Sequence, residues 1–231
     1  MDLPERLATQ DFREIEERFG LSVLCHRVRD LDLRVAEVER VDDLVQQIYP
    51  GAVTLHGDAP VWMVTWPASL GLAEHLVLNE QLAGKRILEL GCGTAAPGIA
   101  AERSGAALVV CTDYDPLALE LARHNARLNG CRDFEVRFLD WYYPDLAGLF
   151  DFIVGSEVAY YEKNFRPLLG VLCSFTAPGG RIVLADQDRP QMGKFLEMCK
   201  EAGFTWEQYF KPVHLADRSY RTRVTVLMRS S

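Results

Sequence analysis

The chain has 231 residues, 48% of them hydrophobic and 25% charged, which is typical of one medium-sized folded domain with a small appendage. Its net charge of −8 at pH 7 disfavours nucleic acid as a substrate and gives no general attraction to anionic lipid. No stretch approaches the roughly 18 apolar residues that cross a bilayer, and the opening segment has no apolar signal core, so a cytoplasmic protein without a membrane partner is expected.

The first 65 residues predict a small α+β unit. Its predicted elements are a helix with apolar residues at Phe12, Ile15 and Phe19, two strands within residues 21–38 around Arg29-Asp30, and a short helix over residues 41–48. The helix prediction rests on apolar spacing of three and four residues, and the strand prediction on Val- and Leu-rich runs. We interpret residues 1–65 as an N-terminal accessory cap.

From residue 66 onward strands and helices alternate, which predicts βαβ units and a parallel sheet. The predicted strands cover residues 86–90, 107–112, 134–139, 150–155 and 180–185. Helices are predicted over residues 69–82, from Asp115-Pro116 to Asn129-Gly130, and between Pro190 and Gly203. Two final strand-like runs, 204–210 and 222–228, have no helix between them and predict an antiparallel pair. Residues 66–231 are therefore predicted to form an α/β core.

A glycine-rich turn lies between the first predicted strand and a helix. Residues 87–98 read Ile-Leu-Glu-Leu-Gly-Cys-Gly-Thr-Ala-Ala-Pro-Gly. Gly91 and Gly93 would let a ligand approach the backbone, and the helix N-terminus would offer N–H groups to a carboxylate or phosphate. The run also fits a relaxed dinucleotide fingerprint, with Asp113 twenty residues after Gly93. The motif alone leaves a nicotinamide enzyme open.

Acidic residues at the predicted strand ends favour a cationic cofactor. The five acids are Glu89, Asp113, Asp140, Glu157 and Asp186. Because ligands of open α/β sheets bind outside the carboxyl ends of the strands, these acids are candidates to line one site. They would repel a pyrophosphate. S-adenosylmethionine (SAM) instead carries a sulfonium and an ammonium, and its carboxylate suits the helix N-terminus. Six singly scattered cysteines provide no zinc spacing, so no metal is expected.

Several short segments after residue 65 form a recognisable combination. They are Trp66-Pro67-Ala68-Ser69, Glu89-Leu90-Gly91-Cys92-Gly93-Thr94, Thr112-Asp113, Asn125, Asp140-Trp141, Glu157-Val158-Ala159-Tyr160 and Asp186-Gln187-Asp188-Arg189. With them, the chain from Trp66 onward resembles the class I (seven-β-strand) SAM-dependent methyltransferases. Within that class it resembles the protein lysine methyltransferases of chaperones, elongation factors and the electron-transfer flavoprotein β subunit. The resemblance implies a Rossmann-like, seven-stranded, mostly parallel sheet with helices on both faces.

The resemblance also implies a set of cofactor-binding residues. They are Trp66, Glu89, Gly91, Gly93, Asp113, Tyr114, Asp140 and Trp141. Asp113 would accept hydrogen bonds from both ribose hydroxyls, and Asp140 would accept one from the adenine amino group. Tyr114 or Trp141 would pack on the adenine ring. Gly91, Gly93 and Glu89 would hold the methionine end.

For the acceptor, the resemblance implies a lysine side chain of a protein substrate, with Glu157 and Tyr160 as catalytic residues. Glu157 would bind and aim the arriving ammonium, and Tyr160 would offer an aromatic face or a hydrogen bond. A small-molecule N- or O-methyltransferase could use the same core. A non-catalytic SAM-binding regulatory protein is a further alternative, although neither the glycine turn nor the acids are degraded. The sequence does not separate a protein acceptor from a small one.

Overall fold

The structure is a computed structural model that describes residues 12–49 and 61–229. Residues 1–11 and 50–60 of the predicted cap, together with 230 and 231, lie outside the described residues. Among the described helices, none has both the length and the apolar character needed to span a bilayer.

The N-terminal elements match their predictions. Helix α1 (Phe12–Phe19) precedes an antiparallel hairpin of β1 (Leu21–Val28) and β2 (Leu31–Val38), and α2 (Val41–Ile48) follows. The hairpin turns at Arg29, whose φ of 53° is left-handed. The predicted helices and strands of this segment are therefore confirmed.

A seven-stranded sheet forms the centre of the described chain. Its strands are β3 (Arg86–Leu90), β4 (Leu108–Asp113), β5 (Phe134–Phe138), β6 (Phe150–Ser156), β7 (Thr176–Asp186), β8 (Phe204–Leu215) and β9 (Arg218–Arg229). The strand order is β5-β4-β3-β6-β7-β9-β8. The first five of these strands are parallel, whereas β9 is antiparallel to both β7 and β8. The predicted fold class is confirmed.

Helices cover both faces of this sheet. They are α3 (Pro67–Asn79), α4 (Ala96–Arg103), α5 (Pro116–Leu128), α6 (Phe165–Phe175) and α7 (Gln191–Glu201). Ile87 of β3 joins an apolar cluster with residues of α3 and α4, and its neighbour Leu88 joins a second cluster with α6 and α7. This alternation is expected for a strand buried on both faces, because successive side chains point to opposite sides.

Several element boundaries differ from the predictions. Helix α3 ends at Asn79 and does not reach Leu82, because Glu80 takes an extended conformation and its carboxylate pairs with His75 and Arg181. Strand β7 starts at Thr176, four residues before the predicted start at 180. Strands β8 and β9 are longer than predicted and turn at Ala216, whose φ is 50°. The α3 and β7 differences depend on partners far away in the sequence, whereas the added residues of β8 and β9 pair with one another across their turn.

The N-terminal hairpin packs directly onto the central unit. Leu33 and Val35 of β2 share a buried cluster with residues of α3 and α4. The buried side chain of Asn125 on α5 accepts from the Ala36 N–H at 2.7 Å and donates to the carbonyl oxygens of Ala36 and Thr94, both at 3.0 Å. Asn125 thus connects the hairpin to the glycine-rich turn. The division into residues 1–65 and 66–231 stays a prediction.

Candidate functional site

The chain changes direction across the sheet at β3, which has β4 on one side and β6 on the other. In an open α/β sheet this switch point opens a crevice at the carboxyl ends of the strands. Gly91 and Gly93 lie directly after β3 with left-handed φ values of 59° and 49°. A Cβ on Gly93 would lie only 3.3 Å from the Trp62 Cα. Both the backbone conformation and the available space therefore require glycine there.

Asp113 ends β4 and holds the glycine-rich turn in place. Its two carboxylate oxygens accept from the Gly93 N–H and from the Asp115 N–H, each at 3.0 Å. Burial raises the pKa of Asp113 to about 6, although these N–H groups oppose the increase. The group is consequently ionised at neutral pH. It combines a fixed orientation with remaining acceptor capacity, which suits the recognition of hydroxyl groups.

Glu89 is turned away from the crevice. The residue is 1% exposed, and its Oε2 accepts from the Gly98 N–H of α4 at 2.9 Å and from the Cys111 thiol at 3.0 Å. Burial raises the pKa of Glu89 to about 8, so the carboxyl group is largely protonated at neutral pH. Its contact with the methionine end of a cofactor stays a prediction, because the observed partners of the carboxyl group are the Gly98 N–H of α4 and the Cys111 thiol of β4.

The N-terminus of α4 offers fewer donors than the sequence suggests. Pro97 has no N–H, the Gly98 N–H is bonded to Glu89, and residues 92–100 are buried. Two of the first three helical residues therefore have no N–H for a ligand carboxylate. The Glu89 carboxyl group packs directly against the helix start, since a Cβ on Gly98 would lie 2.5 Å from Glu89 Oε2.

The protonated state of Glu89 predicts a pH-dependent stability. A folded pKa of about 8, against 4.5 for the ordinary group, means that burying Glu89 penalises folding increasingly as pH rises from about 5 to 8. The wild type should lose up to roughly 5 kcal/mol of unfolding free energy relative to Glu89→Gln across this range. Urea unfolding at several pH values measures this difference. Glu207→Gln, which changes an exposed residue of β8, is the control, and parallel curves for wild type and Glu89→Gln would contradict the assignment.

The predicted adenine-binding residues lie after β4 and β5. Asp140 accepts from the Tyr142 N–H at 2.9 Å and so closes its own turn. Trp141 reaches the glycine-rich turn, where its Cζ2 would lie 3.9 Å from a Cβ on Gly91. Tyr114 is 42% exposed, and its ring centroid lies 5.6 Å from that of Phe138. The structure therefore brings Trp141 beside Gly91, while Tyr114 pairs with a second exposed ring.

Trp66 marks the start of α3. It is the residue before the first helical position, Pro67, and its indole N–H donates to the Val61 carbonyl at 2.8 Å. The preceding residue, Thr65, hydrogen-bonds Thr94 of the glycine-rich turn at 3.2 Å. This contact anchors the beginning of α3 beside the turn, whereas contact between Trp66 and a cofactor stays a prediction.

Glu157 occupies a constrained position after β6. Its φ of 55° is unusual for a residue with a side chain, and its N–H donates to the Ala185 carbonyl at 2.8 Å. One carboxylate oxygen accepts from the Gln187 N–H at 2.8 Å and the other from the Arg189 Nε–H. Burial raises the pKa of Glu157, and Arg189 opposes the increase. The carboxylate is thus fixed from two directions.

Tyr160 lies three residues after Glu157 and pairs with a neighbouring ring. The ring centroids of Tyr160 and Tyr161 are 4.4 Å apart. Tyr160 therefore belongs to an aromatic pair on the same loop as Glu157, and its contact with an acceptor stays a prediction.

Three of the five strand-end acids have partners within the fold, and whether all five line one site stays a prediction. Asp186 is 3% exposed and pairs with Arg223 of β9, with Nη2 to Oδ1 at 2.7 Å and Nε to Oδ2 at 3.1 Å. Glu157 pairs with Arg189, and Glu89 faces α4. The sequence argument missed these partners because charge along strand ends does not show which arginine folds back onto which acid.

Asp115, which the sequence analysis names only as the predicted start of a helix, holds several segments of the fold together. Besides capping α5 through the Leu117 N–H at 2.9 Å, Asp115 accepts from the Tyr49 hydroxyl at 2.6 Å and the Trp62 indole N–H at 2.9 Å. The Asp115 N–H in turn donates to Asp113. The N-terminal segment is thereby bound beside the predicted ribose acid, and no sequence signal indicated this connection.

Comparison with known proteins connects this geometry to a family. The family model for lysine methyltransferases matches residues 55–202, more than half of the chain. The chain belongs to the lysine methyltransferase family. S-adenosylmethionine is therefore its cofactor.

Individual relatives agree with this membership. The electron transfer flavoprotein beta subunit lysine methyltransferase of Rattus norvegicus is 34% identical over 134 residues, which cover 57% of this chain and 52% of the relative. The histone-arginine methyltransferase METTL23 of Xenopus laevis is 36% identical over 113 residues, covering 46% of this chain and 48% of the relative. The chain thus spans about half the length of the curated relatives it matches.

A solved structure shares the fold. The N-methyltransferase NodS of Bradyrhizobium japonicum, in complex with S-adenosyl-L-homocysteine, superposes with a TM-score of 0.55 at 21% identity. The match covers 71% of this chain and 86% of NodS. At this identity the likeness concerns the fold alone.

The crevice fits the cofactor in two respects. Gly91 and Gly93 carry no side chain into the space bordered by Val158, Trp141 and Trp62, and Asp113 is a fixed carboxylate beside them.

Proposed function

We propose that this chain transfers a methyl group from S-adenosylmethionine to a lysine side chain of a protein substrate. The observation that carries the proposal is the fixed, largely buried carboxylate of Glu157, which follows β6 across the switch point from Asp113. Membership of the lysine methyltransferase family supports it. We further propose that the protein acts in the cytoplasm.

The cofactor would be held mainly by residues at the ends of β3, β4 and β5. In the proposal Asp113 accepts from the ribose hydroxyls and Asp140 from the adenine amino group, with Trp141 or Tyr114 against the ring. Gly91 and Gly93 border the methionine end. The bound cofactor supplies a methyl group already activated on sulfur, so the chain contributes mainly orientation. Orientation of two reactants alone contributes on the order of 7 to 11 kcal/mol to lowering a barrier.

Glu157 would orient the acceptor amine, and Tyr160 would contact it through its aromatic face or a hydrogen bond. A lysine has an ordinary pKa of about 10.4 and attacks only as the neutral amine. A carboxylate close to it favours the protonated form, so Glu157 serves to place the amine rather than to activate it. In this proposal the proton of the lysine ammonium leaves to water, so no general base is required within the site.

A labelling experiment tests the proposed acceptor. The enzyme is incubated with methyl-labelled SAM and a cell extract, and the label is followed into protein bands, small molecules and RNA. We expect one or a few labelled protein bands whose hydrolysis releases methyl-lysine. The Asp113→Ala enzyme at the same concentration is the control, and it should leave these bands unlabelled.

The other outcomes are equally informative. Label only in small molecules would replace the proposal with a small-molecule methyltransferase, and release of methyl-arginine would change the acceptor residue. SAM binding by calorimetry without any labelled product would indicate a regulatory SAM-binding protein.

A further inference from the structure

We infer that Arg189 is a positioning residue that neutralises Glu157, so that Glu157 can hold the acceptor amine without keeping it protonated. The inference rests on the proposed function and deepens it, because the proposed function alone does not explain how an acid can border an amine that must lose its proton.

The first support is the geometry of the pair. The Glu157 side chain is 7% exposed, and its Oε2 accepts from the Arg189 Nε–H, while its other oxygen is held by the Gln187 N–H at 2.8 Å. Arg189 is fixed through its backbone, since its N–H donates to Asp186 Oδ1 at 2.7 Å and its carbonyl accepts from Arg223 Nη2 at 2.6 Å. Its side chain is 39% exposed, so it reaches Glu157 from the solvent side.

The second support is the distribution of the neighbouring charges. Asp186 is paired with Arg223 at 2.7 Å, and Asp188 lies 3.1 Å from Arg221 and 3.3 Å from Arg223. The nearby cations of β9 are thus committed to other acids. Among the ion pairs of the described residues, Glu157 has Arg189 as its cationic partner. Asp186 acts on Glu157 in the opposite direction and disfavours its charged form.

The third support is the chemistry of methyl transfer to nitrogen. The amine lone pair forms the new N–C bond while the C–S bond breaks, the electron pair stays on sulfur, and the extra proton of the product leaves to water. An unneutralised carboxylate within about 4 to 6 Å would raise the pKa of the amine by roughly 1 to 3 units and so withhold the lone pair. A guanidinium on the same carboxylate removes much of this effect, and arginine stays charged at every relevant pH.

The test compares pH profiles of turnover. The acceptor is the protein identified by labelling, purified and used at a saturating concentration with saturating SAM. The kcat is measured from pH 6 to 10, where the rising limb of the profile reports deprotonation of the amine in the complex. For Arg189→Gln the midpoint of this limb should move upward by about 1 pH unit. Arg189→Lys, which keeps the charge, should return it most of the way. Arg132→Gln removes an exposed charge before β5 and should leave the midpoint in place.

A double variant separates a role through Glu157 from a general structural role. If Arg189 acts through Glu157, then Glu157→Gln and Glu157→Gln/Arg189→Gln should have coinciding midpoints. An unshifted midpoint for Arg189→Gln would overturn the inference. The same holds if the shift persists in the Glu157→Gln background.

A measurement without acceptor keeps the inference independent of the proposed function. In protein labelled with ¹³C-glutamate, the Glu157 carboxyl resonance is identified by its absence from Glu157→Gln, and its pKa is read from an NMR titration. Arg189→Gln should raise this pKa by about 1 unit or more, because it loses the cationic partner. An unchanged pKa would refute the neutralisation. If wild type labels no protein, the lysine proposal fails, while this titration still decides whether Arg189 neutralises Glu157.

Discussion

Replacing Asp113 with alanine is expected to weaken SAM binding by about 30- to 1,000-fold, or roughly 2 to 4 kcal/mol. The estimate assigns about 1 to 2 kcal/mol to each of two charge-assisted hydrogen bonds to the ribose. The loss has a second source, because Asp113 also fastens the Gly93 N–H at 3.0 Å. Isothermal titration calorimetry of the folded variant with SAM measures the effect.

The matched control is Asp133→Ala, which removes an exposed acid just before β5, at the end of the strands away from the crevice, and should leave the affinity unchanged. The pH dependence provides a further check. Since the pKa of Asp113 is about 6, the affinity of wild type should fall as the pH drops below about 6 and the carboxylate takes up a proton. Asp113→Asn should lack this dependence. An undiminished affinity in Asp113→Ala would remove Asp113 from the cofactor site.

Replacing Glu157 with glutamine is expected to lower turnover by about 100-fold, the order of loss caused by misplaced reactants. Only one oxygen would remain for the two donors that fix the wild-type carboxylate, the Gln187 N–H and the Arg189 Nε–H. The SAM affinity should change little, because Asp113 and Asp140 are untouched. Kinetics with the labelled substrate, together with calorimetry for SAM, separate the two effects.

Glu162→Gln is the matched control for this change. Glu162 follows on the same loop, but its side chain is 57% exposed and pairs with Lys194, so this variant should turn over like wild type. A Glu157→Gln enzyme as active as the parent would contradict the proposed role of Glu157. A loss of SAM affinity as large as the loss of turnover would instead indicate that Glu157 supports the cofactor pocket.

The sequence alone determined most of the architecture. Apolar runs of five or six residues alternating with helical patterns predicted the parallel strands, and the absence of a helix between the last two runs predicted their antiparallel pairing. Such patterns are local, because side-chain periodicity follows from backbone geometry within one element. The glycine-rich turn was also predictable, since left-handed backbone at Gly91 and Gly93 is favourable mainly for glycine.

Only the tertiary structure decided which acids are available at the crevice. The sequence placed Glu89, Glu157 and Asp186 alike at strand ends, yet the first faces α4 and the other two pair with Arg189 and Arg223. Likewise, the contacts of Tyr49 and Trp62 with Asp115 join segments more than fifty residues apart. The physical reason is that charge compensation depends on distances of a few ångströms between side chains from separate elements, which no local pattern along the chain encodes.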